Sequence, residues 1–351
     1  MAEKVNIIGT TIGEIRETVK TFGLPGYTAG QLTDWLYKKK KTSFDDMSNL
    51  PRETRKLLTE NFEIGLNAPS RVQESTDGTR KYLFEVKGGK YIEAVYIPES
   101  DRSTLCISSQ VGCKMGCIFC MTGKQGFHGN LSSGEILNQI LSLPEQEKLT
   151  NYVFMGMGEP LANTENVLKC IEVMTSSYGL GISSSRITVS TIGIIPGLER
   201  ILSQSRCHLA ISLHSPFDAE RATLMPVEKI FPVKRVVDFL KMNARERQRR
   251  ISFEYIMFKG INDTARHING LTRLLNGLRC RINLIRFHPI PGVSLESSDE
   301  DTIMWFKNRL NEKGLLTTIR ASRGKDILAA CGMLSTHQLQ VMKSIGSDLS
   351  C

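Results

Sequence analysis

The stretch Thr104-Leu105-Cys106-Ile107-Ser108-Ser109-Gln110-Val111-Gly112-Cys113-Lys114-Met115-Gly116-Cys117-Ile118-Phe119-Cys120 places an apolar strand directly before a loop with three cysteines. Three thiolates within eight residues can hold one face of a [4Fe–4S] cluster and leave one iron open to a further ligand. A structural zinc site normally takes four ligands, commonly as two separated pairs. The sequence contains no second pair of this kind, so the spacing favours a cluster over zinc.

Beyond this loop, apolar strands alternate with amphipathic helices. The predicted strands lie at residues 104–108, 152–155, 187–190, 208–213, 252–257 and 281–287. Ser132, with Glu135 three residues later, predicts a capping box at the start of the first intervening helix, and further helices are predicted at 163–176 and 233–245. Six such β-α units predict an α/β fold, as a partial parallel barrel or an open doubly wound sheet.

The first part of the chain has a different character. Short helices are predicted at residues 12–21, 29–39 and 51–62, separated by glycines and prolines. Residues 79–86 and 90–97 alternate apolar and polar side chains around Gly88-Gly89, which predicts a β-hairpin. The expected organisation is a helical N-terminal domain (1–75), a hairpin linker (76–100), the barrel (101–335) and a C-terminal tail (336–351).

Positive charge is concentrated in one part of the chain. The formal net charge is +9, and residues 229–286 hold 14 basic and 4 acidic side chains, a net of +10. Lysines and arginines that neutralise phosphates release condensed counterions, so this excess predicts a polyanionic partner.

Cysteine usage and hydropathy indicate the compartment. Nine cysteines, an odd number, in a chain without an export signal favour free thiols or metal ligands over a disulfide framework. No apolar run is long enough to span a membrane. These features predict a cytosolic protein. Cys170, Cys207 and Cys280 lie on apolar segments and are expected in the core.

Further polar features come at the predicted strand ends, where the chemistry of a β/α barrel gathers. They are Gly158 and Glu159 in Gly-Met-Gly-Glu-Pro, Ser190, the triplet Ser212-Leu213-His214, and His288. A carboxylate such as Glu159 can accept hydrogen bonds from an ammonium group or a ribose. Taken singly, a glycine-rich strand end is as typical of a tight turn as of a ligand site, and a lone histidine is more often structural.

The cysteine loop resembles that of the radical S-adenosylmethionine superfamily. With its neighbours it resembles the RlmN family more specifically, over residues 26–334. The motifs that carry this resemblance are residues 104–113, Gly126-Phe127, Asn130-Leu131, residues 156–161, Ser212-Leu213-His214, Asn283-Leu284-Ile285, Arg323-Gly324 and Ala330-Cys331-Gly332.

The resemblance implies a partial (βα)6 barrel with a catalytic C-terminal loop and an RNA-binding N-terminal domain. It also implies methylation of carbon 2 of an adenine in 23S rRNA and in tRNA. The implied cluster ligands are Cys113, Cys117 and Cys120, and the implied S-adenosylmethionine contacts are Gly158, Glu159, Ser190, Ser212, Leu213, His214 and His288. Many family members have asparagine at the position of His288.

The family mechanism uses two molecules of S-adenosylmethionine per turnover. It implies that Cys331 carries the methyl group, that Cys106 releases the RNA by forming a disulfide with Cys331, and that Glu93 is the base. An electron donor such as flavodoxin and a monomeric state are expected.

Three alternatives remain open. A Cfr-type enzyme methylates carbon 8 of the same rRNA adenine, although residues 158–161 favour the RlmN type. A generic radical enzyme acting on a small molecule needs no methyl-carrying cysteine. A cluster-containing RNA-binding regulator needs no catalysis, which several strand-end motifs directed at one pocket disfavour.

Overall fold

The computed structural model describes residues 4–243 and 250–336. The predicted tail from residue 337, with Cys351, and the predicted end of the helix at 233–245 lie outside the described residues. The strands are β1 Val5–Asn6, β2 Phe62–Glu63, β3 Arg71–Glu74, β4 Arg80–Val86, β5 Lys90–Pro98, β6 Ser103–Cys106, β7 Gln110–Gly112, β8 Phe127–Asn130, β9 Asn151–Phe154, β10 Ile187–Thr191, β11 His208–Ser212, β12 Ile251–Met257, β13 Arg281–Arg286 and β14 Thr317–Ile319. The helices are α1 Ile12–Thr21, α2 Thr28–Thr33, α3 Arg52–Asn61, α4 Met121–Gln125, α5 Ser133–Leu141, α6 Thr164–Thr175, α7 Ile195–Gln204, α8 Asp218–Leu224, α9 Val233–Asn243, α10 Ala265–Leu275 and α11 Glu300–Glu312.

A ten-stranded sheet forms the centre of the molecule, in the order β14-β13-β12-β11-β10-β9-β6-β5-β4-β3. The neighbours from β6 to β14 pair in parallel, whereas β5, β4 and β3 are antiparallel. The six predicted parallel strands are confirmed to within two residues at their ends. A seventh parallel strand, β14, was not predicted, because it has only three residues and little apolar character. The predicted hairpin strands β4 and β5 extend the same sheet as the barrel strands.

The helical N-terminal unit packs against the barrel helices. Gly9 adopts φ +92°, and a Cβ there would lie 2.2 Å from the Gly134 nitrogen at the start of α5. Lys169 on α6 pairs with Glu14 on α1 at 2.5 Å. Buried apolar residues of this unit and of the barrel belong to one continuous hydrophobic core.

Local sequence signals account for several helix ends. The predicted capping box of α5 is confirmed: the Ser132 hydroxyl accepts from the Glu135 N–H at 3.2 Å, and the Glu135 carboxylate accepts from the Ser132 N–H at 2.8 Å. The helix predicted at residues 29–39 begins one residue earlier and continues after α2 as a π-helical turn, Asp34–Lys38. In the described residues, no helix has the length and apolar character needed to cross a membrane.

A fully buried guanidinium ties two strand ends together. Arg221 on α8 donates from Nε to the Leu213 carbonyl at 3.0 Å and from Nη2 to the Ile192 and Ser212 carbonyls at 3.0 and 2.9 Å. Its Nη1 pairs with buried Glu228. Burial lowers the pKa of Arg221 and raises the pKa of Glu228, so each charge depends on the other.

Replacement of this arginine tests how strongly the strand ends depend on it. Arg221→Met should lower the free energy of unfolding by about 3–5 kcal/mol, because the Glu228 carboxylate stays buried without its partner. The matched control is Arg200→Met, which breaks the exposed pair with Glu165 and should cost at most about 1 kcal/mol. Urea denaturation of both variants checks this, and equal losses would contradict it.

Candidate active site

The predicted site features lie at one end of the barrel. The cysteine loop follows β7, Glu159 comes after β9, Ser190 is near the end of β10, and the triplet beginning at Ser212 ends β11. His288 follows β13. Because β9, β10, β11 and β13 belong to one parallel sheet, their carboxyl ends form one rim, and the cysteine loop reaches this rim where Cys113 interacts with Glu159.

The cysteine loop is closed on itself by glycines. Gly112 adopts φ +72°, and a Cβ there would lie 1.7 Å from the Gly126 carbonyl oxygen. The Cys113 N–H donates to that same carbonyl at 2.9 Å, and the Cys120 N–H donates to the Cys117 carbonyl at 3.2 Å. The three cysteines therefore project from a single tight turn.

The thiols of this loop lie in an apolar environment. Cys117 and Cys120 pack against a cluster that includes Phe119 and Phe258. Burial raises the pKa of Cys113 to about 12 and also raises those of Cys117 and Cys120. For these thiols to lose their protons near neutral pH, a bound group must supply positive charge beside them.

The donor set fits an iron–sulfur cluster. Each of the three thiols interacts electrostatically with another of them. Among the described residues, no three Cys, His, Asp or Glu side chains are arranged around a single metal ion. A cubane cluster takes each thiolate on a different iron, so its ligands need not converge on one point.

Glu159 is held at the rim by hydrogen bonds from β10. Its carboxylate accepts from the Thr191 hydroxyl at 2.6 Å and from the Ile192 and Leu161 N–H groups at 3.0 Å each. Burial raises the pKa of Glu159 to about 7. Gly158 before it adopts φ +95°, and a Cβ there would lie 2.4 Å from Gln110, so a side chain at this position is excluded.

The residues of the Ser212-Leu213-His214 triplet have different surroundings. Leu213 is fully buried in the core, and its N–H donates to the Glu254 carbonyl at 3.0 Å. His214 adopts φ +57° and its Nδ1 accepts from the Ile256 N–H at 3.0 Å, which leaves the proton on Nε2. Burial lowers the pKa of His214 to about 3, so its imidazole is neutral. Its ring packs edge-on against Phe119, at 4.9 Å between centroids.

A cavity of about 460 Å³ occupies the barrel interior. Its walls include Thr188, Glu254, Asn283, His288, Arg320 and Cys331. His288 shares a hydrogen bond between Nε2 and the Ser322 hydroxyl at 3.0 Å, so Nδ1 is the ring nitrogen left for a ligand. Ser190 is half-buried.

Two further cysteines, Cys106 and Cys331, lie close to each other, and Cys331 lines this cavity. Cys331 is exposed on the loop after β14, and Cys106 is buried in β6. They interact electrostatically with each other and with Arg320, and burial raises the pKa of Cys106 to about 12. Both are free thiols, so the disulfide expected between them is not present in this structure. A buried strand cysteine and an exposed loop cysteine stand here as separate thiols.

Glu93 connects the hairpin to the Cys331 loop. Its carboxylate pairs with Lys81 at 3.0 Å and accepts from the Ser335 N–H at 3.0 Å. Burial raises the pKa of Glu93 although Lys81 opposes this. A carboxylate with a raised pKa beside the Cys331 loop has the properties of a general base.

Comparisons with known proteins agree with this geometry. The radical SAM superfamily model matches residues 107–268, and the ribosomal RNA large subunit methyltransferase N-terminal domain model matches residues 5–64. A probable dual-specificity RNA methyltransferase RlmN from Parabacteroides distasonis is 55% identical over 336 residues, which cover 96% of this chain and 98% of the relative. The dual-specificity RNA methyltransferase RlmN of Syntrophus aciditrophicus is 43% identical, with coverage of 96% and 98%. This chain belongs to the RlmN family.

A solved structure confirms the fold of this RlmN family member. The crystal structure of a radical SAM methyltransferase from Sphaerobacter thermophilus matches with a TM-score of 0.88 at 35% identity, covering 94% of this chain and 99% of that chain. The predicted radical SAM barrel is thereby confirmed. The superfamily implies a [4Fe–4S] cluster and S-adenosylmethionine as cofactors, so the chain is a radical S-adenosylmethionine enzyme.

Several residues of this RlmN site were missed by sequence reasoning. Lys81 could have been found, because the hairpin register places it diagonally across from Glu93 on one face. Arg320 and Ser322 follow a strand too short to predict, and Arg221 lies on a helix outside the motifs.

The raised pKa of Glu159 has a measurable consequence for stability. The folded protein holds this proton more tightly than the unfolded chain, so the stability it contributes is full below pH 4.5 and is lost as the pH rises through about 7. Between pH 5 and pH 8, wild-type unfolding free energy should therefore fall relative to Glu159→Gln by on the order of 2–3 kcal/mol. Urea denaturation at both pH values measures the difference, and a constant difference would exclude the shifted pKa.

Proposed function

We propose that this enzyme methylates carbon 2 of an adenine in 23S rRNA and of an adenine beside the anticodon in tRNA. The observation that supports this most is that Cys106 interacts electrostatically with Cys331, which lines the cavity. The two relatives described above are named dual-specificity RNA methyltransferases, which supports RNA as the substrate. An aromatic carbon with no lone pair to offer is a poor nucleophile, which is the chemical reason for a radical route.

Three cysteines would hold one cluster per chain, namely Cys113, Cys117 and Cys120. S-adenosylmethionine would be bound by Gly158, Glu159, Ser190, Ser212, Leu213, His214 and His288. When bound, it supplies a methyl group in one use and a 5′-deoxyadenosyl radical in another. In this proposal the Glu159 carboxylate would receive a cationic ammonium group, and Leu213 would shape the site by packing, because its side chain is in the core and its backbone groups bond within the barrel.

Cys331 is the methyl carrier in this proposal. Its thiolate forms an S–C bond to the methyl group as the sulfonium S–C bond breaks. One hydrogen atom passes from the S-methyl group to the 5′-deoxyadenosyl radical, and the carbon on Cys331 then bonds to carbon 2 of the adenine. The adduct gives up one electron, which the oxidised cluster would accept, and Glu93 takes the carbon 2 proton, which restores the aromatic ring.

Cys106 then releases the RNA. Its thiolate attacks Sγ of Cys331, so that an S–S bond forms as the bond from sulfur to the bridging carbon breaks, and this carbon takes a proton to become the methyl group. An external donor such as flavodoxin supplies the electron that starts the reaction and the two that reduce the disulfide.

The remaining surfaces suit an RNA partner. Lys229, Lys234, Arg235, Arg273 and Arg279 are exposed in the basic segment 229–286, and they can neutralise phosphates. The N-terminal unit matches a domain model of ribosomal RNA methyltransferases and is proposed to bind RNA. The enzyme is proposed to act as a monomer in the cytoplasm.

The cluster assignment predicts a loss of colour. Cys113→Ala, Cys117→Ala and Cys120→Ala should each lose the brown colour and all cleavage of S-adenosylmethionine, because the cluster has only three protein ligands. Cys280→Ala is the matched control, since this cysteine lies away from the loop and should leave the colour intact. Absorption spectra and assay of 5′-deoxyadenosine measure both effects. A coloured, active loop variant would disprove the assignment.

The role of Cys106 predicts a trapped intermediate. Cys106→Ala should still form the bond between Cys331 and RNA but be unable to break it, so the purified protein should carry covalently attached RNA. A denaturing gel should show a slow species that collapses with ribonuclease and is absent from the Cys106→Ala, Cys331→Ala double variant.

A core role for Cys106 gives a different outcome. Its replacement would only leave a cavity costing about 1–3 kcal/mol, with no adduct. A soluble, cluster-loaded Cys106→Ala protein without RNA, or with normal turnover, would disprove the proposal. Mass spectrometry of the methylated nucleoside separates carbon 2 from carbon 8 methylation.

A further inference from the structure

A row of polar side chains crosses the barrel interior beneath the site. Glu254 on β12, Asn283 on β13 and Thr318 on β14 are direct neighbours in the strand register. Thr318 donates to Asn283 Oδ1 at 2.8 Å, and Asn283 Nδ2 donates to Glu254 Oε1 at 2.8 Å. The Ser252 hydroxyl donates to the same Oε1 at 2.9 Å. One oxygen of Glu254 is therefore fully engaged and fixed in position.

The second carboxylate oxygen of Glu254, Oε2, has different surroundings. Glu254 Oε2 is buried and has no hydrogen-bond donor among residues 4–243 and 250–336. The Glu254 side chain is only 5% exposed, and the nearest cation, Arg320 Nη1, lies 3.9 Å away, beyond hydrogen-bond distance. A buried carboxylate oxygen without a donor is costly, and the row of donors that fixes Oε1 does not supply one for Oε2. Glu254 lines the cavity, and in the described part of the chain its Oε2 lacks a hydrogen-bond donor that a bound molecule can provide.

Arg320 beside it is near the Glu254 carboxylate, but its one side-chain hydrogen bond in the described residues is weak. The Arg320 backbone N–H donates to the Leu284 carbonyl at 2.8 Å. This bond continues the pairing of β14 with β13 and fixes the position of the Arg320 backbone. Its guanidinium donates to the Met155 sulfur at 3.0 Å, and sulfur is a weak acceptor. Its side chain is 27% exposed and lines the same cavity as Cys331, with which it interacts electrostatically. The thiol, the guanidinium and the carboxylate oxygen thus follow one another along one wall.

This order matches one edge of adenine. Along that edge come carbon 2, the acceptor nitrogen N1, and the exocyclic amino group, which is a donor. We propose that Arg320 donates to N1 and that Glu254 Oε2 accepts from the amino group, so that carbon 2 lies towards Cys331. In this proposal, Arg320 turns from Met155 to the base and thereby uncovers Oε2. The inference rests on the proposed function and names the residues that select its target base.

The same pair rejects guanine. Guanine has a donor at N1 and an acceptor oxygen at carbon 6, which oppose Arg320 and Glu254, and its amino group occupies the carbon 2 position that faces Cys331. A site built to hydrogen-bond a group discriminates strongly, because a mismatched base leaves buried polar groups unpaired. A cavity of about 460 Å³ is within the usual range for small-ligand sites and can take one flipped base.

Binding of modified RNA tests the proposal on the cluster-loaded enzyme without reductant. RNA hairpins would carry, at the single target position, adenine, purine (no amino group), 1-deazaadenine (no N1) or guanine, and fluorescence anisotropy would give each Kd. The wild type should lose roughly 10- to 100-fold in affinity for each analogue, as expected for one hydrogen bond to a charged group.

Variants then assign each loss to a residue. In Glu254→Gln the donors Asn283 and Ser252 hold the amide oxygen at the Oε1 position, so the amide NH2 faces the cavity and opposes the adenine amino group. This variant should lose affinity for adenine RNA by the same factor but not for purine RNA. Arg320→Met should lose affinity for adenine RNA but not for 1-deazaadenine RNA, and Arg320→Lys should retain part of it. Glu99→Gln is the matched control, because Glu99 lines the same cavity but pairs with Arg102.

The outcomes separate the explanations. Equal losses for all RNAs in Glu254→Gln and Arg320→Met would show a structural role and overturn the proposal, as would a wild type that binds adenine and purine RNA equally. One outcome is that Cys106→Ala traps RNA while Glu254→Gln and Arg320→Met keep the same base preference as the wild type. In that case only this inference fails. If no RNA is trapped at all, the proposed function fails first.

Discussion

The parallel direction of seven neighbouring strands is the constraint on which the site depends. Parallel strands bring their carboxyl ends to one rim, so residues far apart in sequence, such as Cys113, Glu159 and His288, become neighbours without any local signal between them. The rim itself needs support, because strand ends have unpaired carbonyls. Arg221 supplies it by donating to the carbonyls of three strand-end residues from a fully buried position.

Burial sets the protonation of the groups at this rim. The same removal of water holds His214 neutral, raises the pKa of Glu159 to about 7, and raises the pKa of the loop thiols even though Arg221 lowers that of Cys117. A bound cluster or an ammonium group would reverse the balance for the thiols and for Glu159, since it brings the positive charge that a buried anion lacks. The site is therefore prepared for cationic ligands.

In the proposed function, polar side chains of the barrel interior orient the substrate, as those of the rim hold the cofactors. Arg320 and Glu254 line one cavity with Cys331, Cys106 interacts electrostatically with Cys331, and Glu93 accepts from Ser335 on the loop that follows it. The proposed chemistry at carbon 2 would require that the base be held in one orientation, because an adenine ring has two C–H positions. Hydrogen bonds along a polar wall can provide that orientation, whereas apolar contact alone cannot.

The sequence alone determined the strands, the hairpin, the α5 capping box and the residues at the strand ends, because these follow from local periodicity and from short-range turns and caps. The RlmN resemblance added roles for Cys331, Cys106 and Glu93, which no local pattern implies. Only the tertiary structure decided that β14 extends the parallel sheet, that Arg221 links two strand ends, and that one oxygen of Glu254 has no donor among the residues the structure describes. These features depend on strand register and on contacts between distant segments. A long-range contact leaves no periodic trace in the chain, so the packing of the folded barrel alone reveals it.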